Sequence, residues 1–182
     1  MRNRSRTITQ LVASTLLSQL VLLAVPGGAV LAQQQQAAGA PARTPAAHGP
    51  SLELAIEAAR LAIATCAEAG GQTIGVSVID SAGVLKVLLA ADRTSPRGVA
   101  SSTAKAVTAL QYETDTQDLF TQLDTNKALA AEIAANTALN ARPGGIVIKV
   151  EGTIIGAIGV GGGSTDHDCA ATGLAKVQSR LE

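Results

Sequence analysis

The stretch IVIKVEGTIIGAIGVGGG, Ile146 to Gly163, decides the fold. Ile146 to Val150 and Thr153 to Val160 each read as a strand. Glu151-Gly152 between them is a tight-turn pair in which glycine supplies a positive φ. Strands joined by so short a turn run antiparallel. Gly161-Gly162-Gly163 then lead into a helix from about Thr165, along which Ala170, Leu174, Val177 and Leu181 form an apolar stripe. A hairpin running directly into a helix points to an antiparallel sheet covered by helices.

Upstream, the same grammar repeats. TIGVSVID, Thr73 to Asp80, alternates Ile74, Val76 and Val78 with Gly75, Ser77 and Ile79, and reads as a strand whose small-residue face lies close to something. Asp80-Ser81-Ala82-Gly83 is turn chemistry, and Val84 to Ala90 returns as the second arm of a hairpin. Before it, Leu52, Ile56, Ala59, Ile63 and Cys66 fall at helical spacing, and Gly70-Gly71 stops that helix. Between the hairpins comes a polar loop with Arg93, Pro96 and Arg97, then a helix from near Val99 through SSTAKAVTALQY. Thr116 to Ala138 favours helix with a break near Asp124 to Asn126, and Pro143-Gly144-Gly145 ends the helical section. The fold class is α+β, without internal repeats or heptads.

The chain is 182 residues long and divides into three parts. Arg2, Arg4 and Arg6 precede a mostly apolar run, Leu11 to Val25, and Pro26-Gly27-Gly28 and Val30-Leu31-Ala32 follow. This is the pattern of a signal peptide over residues 1–32, cleaved between Ala32 and Gln33. The apolar run, at about 15 residues, is short of the roughly 20 a bilayer span requires. Residues 33–50 (QQQQAAGAPARTPAAHGP) hold almost no bulky apolar side chain and read as a disordered linker. Residues 51–182 form one domain. The expectation is an exported protein, periplasmic or secreted, with no membrane association once cleaved.

Removing the three leader arginines from the 14 basic residues leaves 11 against 14 acidic, a net charge near −3. Tyr112 and Phe120 are the only aromatics. Without a basic stripe or stacking platform, nucleic acid is not an expected partner. Cys66 and Cys169 both fall in the exported part, where one disulfide or two buried thiols are open alternatives.

Two constellations could carry chemistry. In GAIGVGGGSTDHD, Gly156 to Asp168, a strand runs through Gly161, Gly162 and Gly163 into a helix start whose backbone N–H groups suit a carboxylate or phosphate. No strand and acidic residue follow, which excludes a dinucleotide fold. His167 lies in that first turn as a candidate metal or haem ligand, or as a plain surface histidine, while His48 lies in the linker. No zinc motif and no nucleophile elbow occurs. In ASSTAKAVTAL, Ala100 to Leu110, Lys105 and Thr108 share a helix face with Ser101 one turn earlier. They either bind an acid group or stand as a solvated lysine and a back-bonded threonine.

Four segments together resemble the GlcG/HbpS family of haem-binding and haem-degrading-type domains: LELAIEAARLAIATCAEAG; VSVIDSAGVLKVLLAADRTSP; KAVTAL; and PGGIVIKVEGTIIGAIGVGGGSTDHDCAATGLAKV. The resemblance spans Leu52 to about Val177. It implies about five antiparallel strands covered by helices in a profilin- or PAS-like sandwich of two or three layers, with self-assembly into a homo-oligomer. It also implies haem binding in some members, with slow haem breakdown, and an unsettled role in glycolate-type operons. Carried over by position, Thr108 is the candidate iron ligand and Lys105 belongs to the same motif. Gly161 to Gly163 form the ligand-adjacent loop. Where some members carry a histidine before that helix, this chain has Arg97, whose charge suits a propionate. The first and last helices are implied to pack side by side. Antiparallel packing would bring Cys66 and Cys169 together; parallel packing would separate them. The expected function is haem binding with slow haem degradation, against a non-catalytic module that binds a small carboxylate.

Overall fold

Capping chemistry sets where the helices begin. The structure, a computed structural model, describes residues 47–182; the signal peptide, its cleavage site and linker residues 33–46 lie outside the described residues. Ser51 Oγ accepts from the Leu54 N–H and opens α1, Leu52–Glu68. Ser95 Oγ accepts from the Gly98 N–H, with Pro96 at the first helical position, and opens α2, Pro96–Gln111. Helix α2 thus begins three residues before the expected Val99, because proline is preorganised for a helix start and not only for a loop. The expected break separates α3, Thr116–Gln122, from α4, Lys127–Ala135. Helix α5 spans Asp166–Ala175, followed by a short 3₁₀ turn.

Both hairpins form: β1, Gly75–Asp80, with β2, Leu85–Ala90, and β3, Gly145–Val150, with β4, Thr153–Gly161. Glu151 and Gly152 both have positive φ, +48° and +83°, the demand of a tight primed turn. Strand order is β2-β1-β4-β3, all antiparallel. The sheet therefore has four strands among the described residues where about five were expected. The span between α2 and β3 carries no period-two pattern and folds as α3 and α4.

The two faces of the sheet differ in kind. Ile74, Val76, Val78, Ile146, Ile148, Ile158 and Val160 point to one side and form the main core with α1 and α5. On the other side Gly75 pairs with Gly161 and Ser77 with Gly159 in register, and α2 lies on this small-residue face. A Cβ at Gly159 would collide with the Ser102 carbonyl, and one at Gly145 with the Lys105 carbonyl, so helix backbone rests on sheet backbone. With α1 and α5 opposite, the sandwich has three layers.

The buried face of α1 is Ala55, Ala58, Ala59, Ala62 and Cys66, rotated from the expected stripe; Leu52 is 49% exposed. The cause is α5. A Cβ at Gly173 would strike the Ala58 carbonyl and the Ala62 side chain, so the helices approach through alanine and glycine. They run antiparallel, which brings Cys66 and Cys169 into a disulfide with a Cα separation of 5.5 Å. The domain's contacts also reach back before Ser51. The His48 N–H donates to Ser81 Oγ and the His48 carbonyl accepts from the Ser81 N–H, fastening the end of the linker to the β1–β2 turn. No helix among the described residues is long and apolar enough to cross a membrane.

Candidate functional site

Where β4 ends, its glycines leave a cleft beside α2. This cavity, about 820 Å³, takes Arg97, Ser101 and Lys105 from α2, Gly162, Gly163 and Asp166 from the β4–α5 turn, and Asn140 and Arg142 from the segment before β3. A second cleft of about 320 Å³ adjoins it, walled by Leu123, Ala130 and Ile133. The two share Phe120, Thr137, Leu139, Asn140 and Arg142, and form one groove with a cationic half and an apolar half.

Lys105 is 3% exposed, and its Nζ donates to Asp166 Oδ2 at 2.6 Å. Burial holds the Lys105 amine below the ordinary lysine value; Asp166 opposes the shift and the Arg142 charge adds to it. The other oxygen, Asp166 Oδ1, accepts from the Gly163 N–H at 2.8 Å. Gln72 Oε1 accepts from the Ser164 and Thr165 N–H groups. Three of the N–H donors leading into this helix, on Gly163, Ser164 and Thr165, are therefore taken up by the protein's own side chains. Gly70-Gly71 makes this possible, because both take positive φ and turn the chain so that Gln72 reaches α5.

The expected site residues fall in four places. Arg97, Lys105, Gly162 and Gly163 line the cavity. Gly161 lies beneath α2, where a Cβ would meet the Gly98 carbonyl at 2.6 Å. Thr108 is wholly buried behind the wall: its Oγ1 donates to the Ala104 carbonyl at 2.7 Å and accepts from the Asn140 N–H at 2.8 Å. Its hydroxyl faces the backbone, as a helical threonine's readily does. His167 is half-buried outside the lining, and its Nδ1 is enclosed without a partner. No group of three or more His, Cys, Asp or Glu able to hold a metal ion occurs among the described residues.

Arg142, Asn140 and Phe120 also line the cavity, and sequence reasoning gave none of them a place in the site. Asn140 is the knot of the second wall. Its Nδ2 donates to Ser101 Oγ at 3.0 Å, and its Oδ1 accepts from the Arg142 N–H at 3.0 Å. The one available signal was an arginine next to the Pro-Gly-Gly that begins β3.

Fold and cleft together define a small α+β domain with an open groove beside α2, at the end of β4. A family model described as haem degrading protein HbpS-like matches residues 51–175, and the chain belongs to this HbpS-like family. The crystal structure of HbpS superposes with a TM-score of 0.65 at 28% identity, covering 78% of this chain and 98% of that one. A double mutant of Streptomyces reticuli HbpS gives 0.65 at 29% identity, covering 78% and 94%. The crystal structure of a PduOC:haem complex shares the fold, with a TM-score of 0.62 at 24% identity over 70% and 94% of the two chains. No curated protein sequence matches the chain.

Proposed function

We propose that this is an exported haem-binding protein and that the groove is its haem site. The observation that carries the reading is the continuity of a cationic half with an apolar half, which suits a flat apolar ligand bearing carboxylates. The residues present fit such a group. Arg97 and Arg142 would hold the propionates, while Phe120, Leu139 and Ile133 would cover the macrocycle. Lys105 is already committed to Asp166, so it is not counted among the propionate partners. The hydroxyl oxygens that line the cavity, Ser101 and Ser164 among them, are hard donors and would favour ferric over ferrous iron. Bound haem would supply a redox-active iron. Slow haem breakdown belongs to the same proposal and rests on the family description.

Export is supported by the arginine-led apolar leader and by the Cys66–Cys169 bridge, which suits an oxidising compartment. Self-assembly has a surface available in Leu85 and Leu88, exposed on the edge strand β2.

Haemin titration of the mature protein tests the reading. A saturable Soret band is expected, and Arg97→Glu and Arg142→Glu should each weaken binding about tenfold or more, the scale of a charge-assisted hydrogen bond. A wild-type spectrum that is the sum of free haemin and protein would overturn the proposal.

A further inference from the structure

Among the described residues Lys105 is the only lysine that lines the cavity, and the haem reading gives its amine no task. It lies on the cavity wall with its Nζ against a carboxylate, and the Arg142 guanidinium contributes to the same space. If it served only to tie α2 to α5, a buried ion pair would be no better than well-packed apolar residues. An arginine would also make a better two-pronged tie to Asp166. What lysine offers and arginine does not is a nucleophilic nitrogen.

We propose that Lys105 forms an imine with short 2-oxo carboxylic acids, the keto carbon meeting Nζ and the carboxylate meeting Arg142. An amine attacks only when neutral, and both burial and the nearby guanidinium push Lys105 in that direction. Asp166 is the proton carrier, already hydrogen-bonded to Nζ at 2.6 Å.

The step closes without an external reagent. Lys105 passes one proton to Asp166, and its lone pair forms the C–N bond as the carbonyl π pair moves to oxygen. Asp166 returns the proton to that oxygen, giving a carbinolamine. It then takes a second proton from nitrogen and delivers it to the hydroxyl, which leaves as water. The protonated imine carries the single positive charge that the ammonium had, and Asp166 ends as the carboxylate it began as. Nothing is oxidised or reduced.

The test uses the haem-free mature protein, so its outcome is separate from that of the haemin titration. The protein is incubated with pyruvate and cyanoborohydride, which reduces an imine to a stable secondary amine, and is then mapped by peptide mass spectrometry. Expected is one adduct, on the Lys105 peptide, saturating with pyruvate. Lys105→Arg, which keeps the charge opposite Asp166, should lose it entirely. Arg142→Leu should slow trapping about tenfold at low pyruvate, as loss of a charge-assisted hydrogen bond implies. Should Lys105→Arg not fold, the wild-type peptide map decides alone. Adducts spread equally over Lys86, Lys127, Lys149 and Lys176, no adduct at all, or trapping of acetone as fast as pyruvate would each overturn the proposal.

Discussion

Replacing both cysteines, Cys66→Ala with Cys169→Ala, should lower the unfolding free energy by about 2–5 kcal/mol, the usual cost of losing a native disulfide in a small exported domain. The bridge joins residues 103 apart in sequence, so it restricts a long loop in the unfolded chain, where the chain-entropy model puts its effect near 4.7 kcal/mol. Both sulfurs are wholly buried between α1 and α5, whose contact is otherwise alanine and glycine with little apolar area per residue. Urea unfolding checks this: the midpoint should fall, and the slope should rise as the uncrosslinked chain exposes more surface. A loss under about 1 kcal/mol would mean that the close α1–α5 packing carries the stability without the bridge.

The second large effect is expected at Asp166. Asp166→Ala leaves Lys105 buried without its partner and the Gly163 N–H without its acceptor, and should cost about 3–5 kcal/mol. Lys105→Met combined with Asp166→Leu should recover most of that loss, because apolar replacement of a buried pair is often close to neutral. The pair also sets a pH dependence. The Lys105 amine titrates lower in the folded protein than in the unfolded chain, so between those two values the unfolded chain binds more protons. Stability contributed by this group therefore rises with pH across that interval and is lost as pH falls through the folded value. Comparing alkaline stability profiles of the wild type and Lys105→Met isolates it: the variant should lack the rise.

The parts of this fold that could be read from sequence are those governed by local chemistry. Glu151-Gly152 announces a hairpin because a two-residue turn demands positive φ, and the interruption at Asp124 to Asn126 announces itself by its polar run. The α1 stripe misled because the largest side chains, Leu52, Ile56 and Ile63, suggested the buried face, whereas the face used is the one that lets Gly173 approach. Its choice belongs to α5, more than a hundred residues away in sequence. The groove behaves alike. Lys105 and the glycines were legible because helix spacing and a glycine run mark them, and Arg97 through its place in the family resemblance. Phe120, Asn140 and Arg142 come from a stretch whose pattern says only that it is helical and then polar, and tertiary packing brings them to the cavity. Thr108 shares a face with Lys105, and its hydroxyl turns back to the Ala104 carbonyl, the second of the two readings that the sequence left open and that spacing alone does not decide.

The glycine face under α2 makes the two walls of the groove unequal in stiffness. On the α2 side, main chain lies against main chain at Gly145, Gly159 and Gly161, leaving no side chain there to change rotamer and no slack to take up. The opposite wall, residues 136–143, rests on side chains instead: Asn140 ties it to α2 through Thr108 and Ser101, and Ala141 and Leu139 pack against Leu119 and Ile133. A guest that departs from the resting shape must therefore be met by the second wall alone. Changes that alter which molecules the groove admits should then accumulate around Asn140, while the helix opposite serves as the fixed jaw of a vice.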